Sequence, residues 1–146
     1  MDYSLTTILI GITALSSIIA FNRPALLDRW MFIPYRIKQR NQWDRFILSG
    51  FIHKDLMHLL FNMFTFYFFG GVVERFFKLQ FGLELGGLIF VGFYLAAIVI
   101  ADIPTYLKQQ GNSYYQALGA SGGTSATVFA SIILMPLSDI CLFGLL

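Results

Sequence analysis

Gly119-Ala120-Ser121-Gly122-Gly123-Thr124-Ser125-Ala126 opens an uncharged run that continues through Met135 and is closed by Pro136. Small residues stand at the start of an apolar helix, with one candidate nucleophile, Ser121, among them. Upstream, a second apolar run carries His58 and Asn62 inside Leu59-Leu60-Phe61-Asn62-Met63-Phe64. Polar side chains inside a membrane are costly, which makes an intramembrane histidine and asparagine candidates for function.

The membrane reading rests on composition. The chain has 146 residues, 57% hydrophobic, 17% aromatic and 12% charged. A soluble domain would carry about twice that charged fraction. The expectation is an all-α, polytopic transmembrane helix bundle of one domain. The net charge of +2 gives no argument for nucleic acid, and the single cysteine, Cys141, excludes an intrachain disulfide framework.

Four apolar helices are expected, at residues 5–21, 55–73, 86–102 and 119–135, with a first loop at 22–45. The first run is uncharged and just long enough to span. A signal peptide is the alternative, but Asp2 stands where a basic n-region would and no A-x-A site follows. The loop interleaves Arg23, Arg29, Arg36, Lys38, Arg40 and Arg45 with Trp30, Phe32, Tyr35 and Trp43, and Pro24 and Pro34 break any long helix in it. That mixture suits the lipid interface or an extramembrane loop. Asp55 is a candidate N-cap for the second helix, and Gly70-Gly71 is expected to permit close helix approach. Glu74 and Arg75 are read as the membrane exit. Asp102 and Pro104 are read as ending the third helix, with an aqueous loop over 105–116. An apolar stretch from Ile140 runs to Leu146 with no polar end, from which a truncated sequence is expected.

A serine hydroxyl needs a base to take its proton and donors to hold the oxyanion. A helix N-terminus supplies free N–H groups and a positive dipole end. Glycines at 119 and 122 would let a substrate backbone approach. His58 and Asn62, four residues apart, lie about 40° from one another on a helix and are donors of the right kind. On composition alone a tight helix-packing face of Gly119, Ser121, Gly122 and Gly123 is the favoured reading, and interhelical hydrogen bonding is a common use of residues such as His58 and Asn62. A metal site from His53 and His58 is disfavoured, because five residues put them about 140° apart on a helix and no carboxylate cluster joins them.

Together these residues resemble the rhomboid family of intramembrane serine proteases. Gly119-Ala120-Ser121-Gly122 looks like its G-x-S-G motif. His53-Lys54-Asp55-Leu56-Met57-His58-Leu59-Leu60-Phe61-Asn62 looks like its second-helix signature, and Gly70-Gly71-Val72-Val73-Glu74 like that helix's continuation. Gln42-Trp43-Asp44-Arg45 is similar to a Trp-x-Arg element of the family's first loop, with Arg45 eight residues before His53.

The resemblance implies a rhomboid-like bundle with about four of the family's six helices present. It implies Ser121 as nucleophile, an oxyanion hole from His58, Asn62 and the Ser121 N–H, and Glu74 stabilising the non-catalytic end. Supporting motif positions would be Gly119, Gly122, His53, Arg45, Gly70 and Gly71. Substrates would be transmembrane segments of membrane proteins within the lipid bilayer, with no metal, organic cofactor or nucleic acid. The family's base is a histidine on its sixth helix. Only His53 and His58 occur here, and both fall in the second-helix signature. The chain as given is therefore expected to be an inactive part of an active enzyme; the alternative is a non-catalytic rhomboid-like binder of transmembrane clients. A small transporter or channel subunit ranks below both, because it needs more intramembrane ionisable groups. The resemblance puts the first loop outside and the N-terminus in the cytoplasm. The positive-inside rule opposes this, since six of the ten Lys and Arg residues lie in that loop. The resemblance is preferred because the loop is expected to bind headgroups. A bacterial inner membrane is the expected location.

Overall fold

The computed structural model describes residues 4–136. The elements run α1 (Leu5–Phe21), α2 (Pro24–Trp30), α3 (Pro34–Arg40), α4 (Arg45–Leu48), a 3-10 turn (Ser49–Phe51), α5 (Leu56–Phe81), α6 (Leu83–Gln109) and α7 (Ser121–Leu134). The architecture is an all-α helical bundle. The helix ends follow local chemistry. Ser4 caps α1 by accepting from the Thr7 N–H, and Asp55 caps α5 by accepting from the His58 N–H. Pro24 and Pro34 stand in the first turns of α2 and α3. A proline has no N–H to leave unpaired there, so these prolines start helices rather than break one.

α5 and α6 are long and apolar enough to cross a membrane. At 1.5 Å per residue each is about 40 Å long, more than the ~30 Å hydrocarbon core. Both outrun the expected spans. α5 continues past Glu74 to Phe81, and only Gly82, at φ +85°, separates it from α6. α6 continues through Asp102 and Pro104 to Gln109, so residues 105–109 are helix rather than loop. Proline removes one helical N–H, which membrane helices tolerate where neighbours satisfy the freed carbonyl.

α5 packs against α1, α6 and α7. Leu9, Phe66, Val73, Phe90, Tyr94 and Ile98 form the buried core between these helices. Outward, Leu60, Phe61, Phe64, Leu88 and Ile100 are exposed. Such an apolar exterior suits lipid rather than water.

Two buried charges hold the ends together. Glu74, expected at the membrane exit, is buried and accepts from the Leu5 N–H at 2.8 Å, the Thr6 N–H at 2.9 Å and the Thr6 hydroxyl at 2.7 Å. Its negative charge thus sits at the positive end of the α1 dipole, where it is stabilising. Lys78 completes the cluster at 2.7 Å. Gly70 makes the α1–α5 approach possible, since a Cβ there would lie 3.2 Å from Thr6 Cγ2 and 2.8 Å from the Phe66 ring. Gly71 has open space around it, so only one of the two glycines serves close approach.

Arg45 organises the first loop. It is buried and donates to the carbonyls of Asp28 at 2.7 Å and Met31 at 2.6 Å, and to Gln42 Oε1 at 2.7 Å. The two carbonyls lie at the end of α2, where helical carbonyls lack backbone partners. The loop is also tied to the segment before α7. Phe32 N–H donates to Ala117 O at 2.8 Å and Ala117 N–H donates to Phe32 O at 3.0 Å.

Candidate functional site

Ser121 is the first residue of α7 and is exposed. Its hydroxyl makes no hydrogen bond among the described residues. The helical ladder begins with Thr124 N–H donating to Ala120 O at 2.9 Å. The N–H groups of Ser121, Gly122 and Gly123 therefore have no carbonyl partner within the helix.

The segment entering α7 is held at two successive amides. Gly119 N–H donates to Ser49 O at 2.9 Å. Ala120 N–H donates to Nε2 of His53 at 3.3 Å. Because Nε2 accepts, the ring proton sits on Nδ1, which donates to Ser17 Oγ at 3.0 Å. Ser17 passes its hydrogen toward Phe51 O at 3.4 Å. His53 precedes α5 and is fully buried. Burial, and secondarily the adjacent His58, push its pKa down from 6.5 to about 4, against a smaller upward pull from Asp55. The neutral ring is thus a clamp joining α1 to the entrance of α7.

His58 lies on the first turn of α5, its ring centroid 5.0 Å from that of His53. It packs against Gly119, whose φ of +118° belongs to the region glycine favours. Asn62 shares that helix, but its Nδ2 donates to the His58 carbonyl at 2.9 Å, one turn back on α5. No hydrogen bond joins Ser121 to His58 or Asn62 among the described residues. Asn62 keeps a second amide hydrogen that this bond does not use.

The glycines after Ser121 serve helix packing. A Cβ at Gly122 would lie 2.6 Å from Ala101 Cβ, and one at Gly123 would lie 2.6 Å from the Tyr94 ring. The space expected to admit a substrate backbone at Gly122 is therefore filled by α6.

A cavity of about 160 Å³ adjoins Ser121 and Gly119. Asp102 and Ser49 are on its wall. Sequence reasoning missed both: Asp102 was taken for a helix end, and Ser49 carries no motif. The available signal was an aspartate directly after an uncharged run, since a carboxylate at membrane depth rarely lacks a role. Arg45, Gly70 and Glu74 are brought to other parts of the bundle, where they hold the frame. Among the described residues no three His, Cys, Asp or Glu side chains group as metal ligands would. Cys141 lies outside the described residues.

Residues 40–146 match the family model described as the rhomboid domain. The chain is also 30% identical, over 125 residues, to the RHOMBOID-like protein 12, mitochondrial, of Arabidopsis thaliana. The match covers 80% of this chain and 36% of that protein. The chain thus spans about a third of the length of the curated relative it matches. With two helices able to cross a bilayer, a bundle clothed in apolar side chains and this match over most of its length, the chain is a membrane protein and belongs to the rhomboid family.

Proposed function

We propose that the chain carries the nucleophile half of an intramembrane serine endopeptidase site that cuts transmembrane segments of membrane proteins. The observation that carries this reading is the placement of Ser121: an exposed residue whose hydroxyl is free of protein hydrogen bonds, at a helix N-terminus with unpaired amides, two residues after the Gly119 that packs against the His58 ring. Ser121 Oγ attacks the scissile carbonyl carbon and passes its proton to a base. The negative charge moves to the carbonyl oxygen, where the Ser121 N–H and the His58 side chain donate to it. Asn62 joins them by turning its amide from the His58 carbonyl. Collapse expels the amine, protonated by the same base, and water hydrolyses the acyl-enzyme.

The base is proposed to come from outside these 146 residues. His53 has its accepting nitrogen committed to Ala120, and His58 serves the oxyanion. These 146 residues are accordingly proposed to be inactive alone. The relative's name assigns a mitochondrial location to that protein and lends no support to the bacterial inner membrane expected from composition.

The test is fluorophosphonate labelling of the full-length protein in detergent, with cleavage of a single-span substrate in proteoliposomes. Labelling and cleavage that both vanish in Ser121→Ala, with thermal stability held, are expected. Cleavage surviving in Ser121→Ala overturns the protease reading. Client binding without cleavage or labelling would install the non-catalytic binder in its place.

A further inference from the structure

We propose that the first loop is a docking surface selective for anionic phospholipid headgroups, and that Arg23, Lys38 and Arg40 set this charge preference. The proposal stands apart from the protease reading above.

The charges of the loop divide into those already used and those left over. Arg29 pairs with Asp44, and Arg36 pairs with Asp28. Arg45 is buried on backbone carbonyls. Asp28 and Asp44 are the only acidic residues between positions 22 and 45, so no carboxylate remains for the other cations. Arg23, Lys38 and Arg40 are exposed, and none makes a hydrogen bond or ion pair among the described residues. Lys108, in the last turn of α6, is in the same state. It stands at the same end of the bundle, because Trp43 packs on Tyr106 with ring centroids 5.5 Å apart. The opposite end is balanced among the described residues, with Arg75 and Lys78 against Glu74 and Glu84. The excess positive charge is therefore a property of one end and not of the whole surface.

Depth and chemistry identify the occupant. α3 and α4 pack against α6, whose exposed side is still apolar at Ile100, Ile103 and Leu107. The loop thus stands where the lipid-facing surface of the bundle ends. There α3 buries Pro34 and Ile37 and exposes Tyr35, Lys38 and Arg40. Trp43 stays 53% exposed although it stacks on Phe46, and Tyr114 is 94% exposed on the segment that follows α6. Exposed Trp and Tyr rings suit headgroup depth, and cations beside them meet phosphates. A soluble polyanion would satisfy the cations and leave the rings in water. A zwitterionic headgroup would satisfy the rings, but its own cation opposes Arg23, Lys38 and Arg40. A phospholipid of net negative charge matches both.

The test places the full-length protein in nanodiscs of dioleoylphosphatidylcholine and dioleoylphosphatidylglycerol in equal parts. One lipid or the other carries a photoreactive headgroup, and crosslinked peptides are counted by mass spectrometry. At about 0.1 M salt, crosslinks to residues 22–45 are expected to favour phosphatidylglycerol at least about fivefold, the scale of one basic side chain at an anionic surface. At about 1 M salt, where charges are screened within roughly 3 Å, the ratio should approach one. The combined variant Arg23→Gln, Lys38→Gln, Arg40→Gln should also bring it near one, with an unchanged melting temperature in uncharged detergent. The charge-keeping variant Arg23→Lys, Lys38→Arg, Arg40→Lys should retain the preference. Each single Gln variant should lower it in part, which serves should the combined variant not fold. Arg75→Gln, at the opposite end, should leave it unchanged. Millimolar inorganic phosphate should not compete; if it does, the surface takes a phosphate ion and the lipid assignment falls. Equal yields of the two lipids, a ratio indifferent to all the Gln variants, or the same loss in Arg75→Gln would each overturn the proposal.

Discussion

A Cβ on Gly119 would lie 2.7 Å from Cε1 of His58, so the imidazole fills the space a side chain would need. The glycine's φ of +118° adds a second reason that no other residue fits. Gly119→Ala is therefore expected to cost about 1–3 kcal/mol in backbone strain and steric displacement. Moving the ring would also disturb the proposed oxyanion donor. Thermal unfolding in detergent should show the loss. Fluorophosphonate labelling, measured below the lowered melting temperature, should fall as well. Full labelling with unchanged stability would show that His58 can be displaced at no expense to the site.

His53 makes stability depend on pH. An unfolded histidine binds its proton near 6.5, while the buried ring does so near 4, next to His58 and Asp55. Across that window the unfolded state holds more protons, so stability is full above 6.5, falls as pH drops and levels off below about 4. The linked loss is at most roughly 3 kcal/mol. Protonation would also put a hydrogen on Nε2, against the Ala120 amide. The melting temperature of the full-length protein should drop between pH 7 and pH 5, and this part of the drop should disappear in His53→Gln. An identical slope in the variant would assign the titration elsewhere.

Glu74→Gln should weaken the frame and spare the chemistry. The amide removes the charge that Lys78 and the α1 amides share, and hydrogen bonds to a charged group contribute about 1.5–3 kcal/mol. The expected outcome is a lower melting temperature with normal labelling of Ser121 below it. Loss of labelling in the folded variant would show that this end of the bundle couples to the site.

Arg45→Met should loosen the first loop. It frees the Asp28 and Met31 carbonyls and Gln42 while keeping an apolar stem in place. The expected loss is more than about 3 kcal/mol, since three charge-assisted bonds of roughly 1.5–3 kcal/mol each go together. Limited proteolysis should then cut within residues 23–44 sooner than in the unaltered protein. Equal protection would mean that the Phe32–Ala117 bridge alone holds the loop.

Some of this architecture was legible from local chemistry. The run at Leu5–Phe21 reads as a helix because it is apolar, uncharged and just long enough to span, and α1 occupies it with Asn22 as its C-cap. Asp55 was legible as a cap because a cap acts over three residues. The charged and proline residues at Glu74, Asp102 and Pro104 were misleading for the same reason. Each is a stop signal locally, yet α5 and α6 run on past all three, and at Glu74 the Thr6 hydroxyl, the α1 amides and Lys78 compensate for the buried carboxylate.

The motif residues could be picked out in the chain, but not their division of labour. Two histidines five residues apart look alike in sequence. One is a neutral clamp because Ser17 and Ala120 converge on its two nitrogens from 36 and 67 residues away. Local propensity and apolar patterning decided the class of fold and most helix starts, because those forces act within a few residues. The contacts of His53 and Gly122 and the place of Ser49 and Asp102 on a cavity wall were decided only when α1, α5, α6 and α7 packed together, because hydrogen bonding, steric exclusion and a cavity wall are properties of neighbours in space.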